Sequence, residues 1–156
     1  MPKSQPKVYT FGYGGRSVDE LLELAEQLDA VIFDVRYSPR SRAPQWNRNQ
    51  LEAIFGESYC HVQAFGNANY RGGPIQIVSY EAGKAAIEAS ERNVILMCVC
   101  KDVRSCHRTV IGERLRRDGF EVHELSNYQR ALTFPDIGFE DDADEPIIGS
   151  VPPFRR

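Results

Sequence analysis

The chain has 156 residues, 42% of them hydrophobic and 26% charged, with a formal net charge of −3. That length suits one domain with a real core, and the negative balance argues against a surface coated with basic residues for nucleic acid. No run approaches the roughly 18 uninterrupted apolar residues of a membrane span. The opening "MPKSQPKVYT" has no apolar stretch of the kind a signal peptide needs, so a cytoplasmic protein without membrane contact is expected.

Taken in chain order, "KVYTFGYG" alternates in a β-prone pattern and stops in glycines, predicting a strand and a turn. Ser17 can cap the next helix, with Glu20 three residues on completing a capping-box pattern. Leu21, Leu24, Ala25 and Leu28 then recur at helical spacing and predict its core-facing stripe. "AVIFDV" is a short apolar run ending at Asp34, as expected of a strand covered on both faces.

"RYSPRSRAPQWNRNQ" reads as a loop, followed by a short helix, "QLEAIF", and a third strand, "SYCHVQAF". "GNANYRGG" is turn-rich, and "YEAGKAAIEASER" is a helix weakened by Gly83. "NVILMCVC" is the clearest strand and "TVIGERLRRDGF" the clearest helix, the latter stopped by Gly119. "EVHEL" closes the series as a short strand.

Strands alternating with helices predict an α/β domain of three layers, a mostly parallel sheet covered by helices on both faces. Residues 1–129 are expected to form this single domain, and residues 130–156, with the acidic run "FEDDADEP" and prolines 135, 146, 152 and 153, an irregular tail.

In open parallel sheets ligands sit beyond the carboxyl ends of the strands. Three unusual segments fall there: Gly12 to Arg16, Asp34 to Arg42, and Cys98 to Arg108. "GYGGRS" lets backbone N–H groups approach an anion at a helix N-terminus, or is simply a tight turn needing positive φ. It lacks the third glycine of a dinucleotide fingerprint, where Ser17 stands. In "DVRYSPRSR", Arg36, Arg40 and Arg42 can converge on a phosphate or carboxylate, with Asp34 as orienting partner or general base. Because Asp34 and Arg36 end an apolar strand, a buried pair is expected.

"CVCKDVRSCHRT" holds three of the four cysteines, which in a cytosolic protein remain thiols more often than they form disulfides. Cys98, Cys100 and Cys106 lack paired CxxC spacing, so neither metal nor cofactor is expected. Cys106 in the first turn of a helix near Arg108 is a reasonable, partly accessible nucleophile. His107 aligns with Ile111 and Leu115 and is more readily a packed histidine. Cys98 and Arg104 match the C-x5-R spacing of cysteine phosphatases, but no glycine lies between them.

The ordered motifs "YTFGYGGRS", "DVRYSPRSR" with "PQWN", "SYCHVQAFGN" and "CVCKDVRSCHR" together resemble the domain of unknown function 488 family over about residues 8 to 125. The resemblance implies a compact α/β domain. It marks Gly12, Arg16, Ser17, Asp34, Arg36, Pro39, Arg40, Ser41, Arg42 and Asn47, then Tyr59, His61, Gly66, Cys98, Cys106, His107 and Arg108. The chain departs from the family pattern at Tyr13, where a histidine is usual, and at Cys100 and Ala64, where acidic residues are common. Those departures remove acid–base candidates.

The expected function is an enzyme acting on a phosphorylated or nucleotide-like substrate. Asp34 and Cys106 are its candidate catalytic residues, and Gly12, Arg16, Arg36, Arg40, Arg42, Asn47 and Arg108 its substrate-binding residues. A non-catalytic module that binds a nucleotide or a nucleic-acid end through the same arginines is the alternative. Thiol redox exchange by Cys98, Cys100 and Cys106 is a third reading.

Overall fold

The structure, a computed structural model, describes residues 5–99 and 106–125. The chain divides into two units, Met1–Glu124 and Leu125–Arg156, and every element described lies in the first. The tail from residue 130, like Cys100 and Arg104, lies outside the described residues.

Five strands, β1 (Val8–Gly12), β2 (Ala30–Asp34), β3 (Tyr59–His61), β4 (Asn93–Cys98) and β5 (Val122–Glu124), form one sheet in the order β3-β2-β4-β1-β5. Every pairing is parallel. Four helices connect them: α1 (Val18–Leu28), α2 (Arg48–Phe55), α3 (Tyr80–Glu88) and α4 (His107–Arg117). The protein is therefore an α/β fold, as the alternation of elements predicts.

Side-chain alternation along the strands accounts for burial on both sides of the sheet. Val8, Phe33, Val94, Leu96 and Cys98 pack in one cluster with Tyr80 and Ile87 of α3 and Ile111 and Leu115 of α4. Their strand neighbours Phe11, Ile32, Ile95 and Met97 point the other way and are equally buried.

Local signals set the element ends. Ser17 Oγ accepts the backbone N–H of Glu20 at 3.1 Å, capping α1 as expected. Gly119, at φ 97°, follows α4. Three boundaries differ from expectation. β3 ends at His61 and gives way to a 3-10 turn over Gln63–Phe65. A second such turn, Pro44–Trp46, interrupts the long loop, and α4 begins at His107, earlier than its apolar stripe implies. Gly83 proves to be a packing requirement: a Cβ there would sit 2.4 Å from the Phe65 ring.

The connections leaving β1 and β4 run in opposite directions along the sheet, because α1 leads to β2 and α4 leads to β5. These adjacent strands form the switch point where open α/β sheets place ligands. What lines it is fixed by the residues just beyond Gly12, Asp34 and Cys98.

Candidate functional site

Asp34 ends β2 completely buried, and Arg36 beside it is 5% exposed. Their contact is bidentate: Arg36 Nε donates to Oδ1 at 2.8 Å and Nη2 to Oδ2 at 2.6 Å. The backbone N–H of Arg36 adds a bond to Oδ1 at 3.2 Å, and the Tyr59 hydroxyl donates to Oδ2. Burial opposes the charge on Arg36, but hydrogen bonds and attraction from Asp34 outweigh it and hold the guanidinium firmly protonated. Burial, reinforced by the Asp34 charge, pushes the Tyr59 phenol up. This is the buried pair that a charged strand end demands, and it uses all four acceptor positions of the carboxylate.

The third donor of Arg36, Nη1, reaches the Tyr13 hydroxyl at 3.3 Å and the Arg40 carbonyl at 3.4 Å. Tyr13 stacks on Trp46 with ring centroids 4.3 Å apart and planes 12° apart. Trp46, 2% exposed, thus anchors the arginine loop beside the end of β1. Asn47 closes the loop from within, its Oδ1 accepting the Ser41 N–H at 2.6 Å, while the Arg48 N–H bonds to the Pro39 carbonyl at 3.2 Å. Pro39, Arg40, Ser41, Asn47, Arg48 and Asn49 line an open depression of about 440 Å³. Arg40 and Arg42 are exposed, and neither guanidinium enters an ion pair among the described residues. Arg48, also exposed, pairs with Glu52 at 2.9 Å.

A second cluster lies on the other face of the sheet, under α4. Arg108, 1% exposed, donates to Glu124 through Nε at 3.2 Å and Nη2 at 3.0 Å, and through Nη1 to Cys98 Sγ at 3.3 Å. Glu124 also accepts the Thr10 hydroxyl. Cys98 and Cys106 are not joined as a disulfide, and their sulphurs lie 2.8 Å apart. Cys106 caps α4, its Sγ accepting the Arg108 N–H at 3.5 Å.

The three motifs therefore meet at one end of the sheet, but their side chains do not form one arginine cluster. Arg36 is neutralised by the buried carboxylate of Asp34 and Arg108 by the half-buried carboxylate of Glu124, on opposite faces. Arg16 is held by Glu20 through Nε at 2.8 Å and lies 4.1 Å from the centre of the Phe11 ring. Gly12 is buried in the sheet opposite Cys98, and the next two amides, of Tyr13 and Gly14, bond to the carbonyls of Cys98 and Val99. With Gly15 at φ 74°, "GYGGRS" serves as a turn. The expectation of an accessible Cys106 is corrected as well, since the thiol is 1% exposed and faces Cys98. His107 Nε2 lies 2.8 Å from the Val35 carbonyl, the packed role expected of it.

The chain matches no protein-family model, no curated protein and no solved structure.

Two contributors are invisible to spacing. Tyr13 stands out in the sequence only as a departure from a family pattern, yet it joins β1 to the arginine loop. Glu124 sits in an unremarkable three-residue strand, and only the placement of β5 beside β1 brings it to Arg108. Among the described residues, no three His, Cys, Asp or Glu side chains gather as a metal-binding group, and no helix is long and apolar enough to cross a membrane.

Proposed function

We propose that the protein binds a phosphorylated, nucleotide-like ligand on the loop that follows β2, with Arg40 and Arg42 contacting the anion. The observation that carries this reading is the contrast in arginine pairing: these two are exposed with no ion pair among the described residues, whereas Arg16, Arg36 and Arg108 are held by carboxylates. Guanidinium forks suit phosphate oxygens, and the depression beside them adds Ser41 and Asn49. The loop is braced by Trp46 and Asn47 before any ligand arrives, which lowers the ordering cost of binding. Tyr37 and exposed Tyr70, stacked 5.2 Å apart, extend the same region with an aromatic surface for a planar base.

Binding is favoured over turnover. Asp34 has no acceptor position left for a substrate proton, and Cys106 is shielded, so neither candidate catalytic residue supports chemistry on an exposed ligand. The motifs shared with the domain of unknown function 488 family fit this assignment, since DVR…PRSR is the segment that builds the loop.

Calorimetric titration with nucleoside mono- and diphosphates and with inorganic phosphate tests the reading. Arg40→Ala with Arg42→Ala should weaken binding by tenfold or more, on the order of 1.5–3 kcal/mol for a lost charged hydrogen bond. Unchanged affinity in the double variant would remove the loop from the site. Turnover of any of these phosphates, lost in Asp34→Asn, would restore the enzymatic reading.

A further inference from the structure

We propose that Cys98 and Cys106 are a redox couple that a peroxide converts reversibly to a disulfide. The two sulphurs are 2.8 Å apart although eight positions separate them in sequence, because Cys98 ends β4 and Cys106 opens α4. Proximity of this kind makes closure an intramolecular step, which outcompetes reaction with an external thiol. Only Cys60 among the described thiols is exposed, so the pair is also protected from unrelated thiol partners.

Arg108 supplies the polar element of the site. Its Nη1 donates to Cys98 Sγ at 3.3 Å while its other nitrogens are held by Glu124. A guanidinium beside a sulphur favours the thiolate, the form that attacks an oxidant. The geometry therefore makes Cys98 the attacking residue and Cys106 the resolving one, the reverse of the order that sequence position implies.

The electrons and atoms balance in two steps. Cys98 thiolate attacks one oxygen of hydrogen peroxide, the O–O bond breaks, and hydroxide leaves, giving a sulfenic acid. Cys106 sulphur then attacks the sulfenic sulphur; the S–O bond breaks, and the departing hydroxyl takes the proton of the Cys106 thiol and leaves as water. The proton released on forming the Cys98 thiolate combines with the hydroxide of the first step as water. Overall two thiols and one peroxide give one disulfide and two waters. A small-molecule dithiol reverses the change. Peroxide is the fitting oxidant because both sulphurs are buried too deeply for a bulky one.

The experiment treats the native full-length chain with hydrogen peroxide and maps its disulfides by mass spectrometry of unreduced tryptic peptides. Lys101 and Arg104 lie between the two cysteines, so trypsin separates them unless a disulfide joins the peptides. The expected result is a Cys98–Cys106 cross-link that disappears with dithiothreitol. A Cys60→Ser/Cys100→Ser variant should lose both remaining thiols to peroxide and regain both on reduction. Pairing of either residue with Cys100, irreversible oxidation to sulfinic acid, or survival of both thiols while Cys60 is oxidised would each overturn the proposal. Cys98 and Cys100 share the tryptic peptide 93–101, so fragmentation of the cross-linked peptides assigns the pairing, and in the native chain it decides alone if the double variant does not fold.

Discussion

Arg36 and Arg40 are four residues apart in one loop, yet they belong to different physical regimes. Arg36 is buried, fixed by two parallel bonds to Asp34, and additionally bonded to Tyr13. Arg40 is exposed and contributes only its carbonyl to that network. The first arginine is part of what holds the strand end together; the second is available to a ligand. Arginines clustered in sequence therefore do not amount to an anion site until those consumed by internal carboxylates have been subtracted. Arg108 and Arg16 fall on the consumed side for the same reason.

The comparison breaks most decisively at Asp34. Asp34→Ala should destabilise the protein by about 3–5 kcal/mol, since it leaves Arg36 charged and buried without its partner. Urea unfolding followed by circular dichroism measures this. Replacing both members, as in Asp34→Leu with Arg36→Met, should recover most of the loss, because the expense lies in the orphaned charge more than in the absent pair. A double variant as unstable as the single one would mean that shape, and not charge, dominates the site.

Tyr59 gives a smaller effect with a definite pH dependence. Tyr59→Phe removes one hydrogen bond to a charged acceptor, a loss of about 1.5–3 kcal/mol. In the folded chain, burial and the Asp34 charge raise the Tyr59 phenol above its ordinary value. Once the pH passes that ordinary value of about 10, the unfolded chain releases the phenolic proton while the native chain keeps it. The native state then binds more protons, so this contribution is intact below about pH 10 and is lost as pH rises towards the folded value. Unfolding midpoints measured from neutral to alkaline pH should fall less steeply in Tyr59→Phe than in the parent chain.

Gly83 marks the limit of reading packing from propensity. By propensity the residue only weakens α3, and Gly83→Ala should add up to about 1 kcal/mol of stability. In the fold an added Cβ meets three atoms of the Phe65 ring between 2.4 and 2.6 Å. Overpacking of this kind costs about 1–3 kcal/mol, so a net loss is expected by thermal unfolding. A gain would show that Phe65 moves aside at little cost.

The fold was legible because its signals are local or periodic. Ser17 as a cap, the stripe Leu21, Leu24 and Ala25, and the apolar run of β4 each carry their own warrant. The burial of Asp34 with Arg36 was legible too, since a charge at the end of an apolar strand needs a partner. The site as a whole was not. Strand order decides that Glu124 meets Arg108 and Thr10 across 16 and 114 positions, and no spacing in the sequence encodes that. The same holds for Cys106: position at a helix start suggests an activated thiol, but exposure depends on what lies across from it, here Cys98.

The smallest expected effect sharpens the comparison from its exposed side. Arg40→Ala and Arg42→Ala, singly or together, should change stability by no more than about 0.5 kcal/mol, the usual range for surface positions without a partner. The Arg40 carbonyl, which accepts from Arg36, survives the substitution because it belongs to the backbone. The loop keeps its other supports as well: Trp46 on Tyr13, Asn47 on the Ser41 amide, and Arg48 on the Pro39 carbonyl. Stability and ligand affinity should therefore separate completely in these variants, with unfolding curves that superimpose on the parent and anion titrations that do not. A shared loss of both would place Arg40 and Arg42 with Arg36 as supports of the strand end, and the division drawn between the two kinds of arginine would fail.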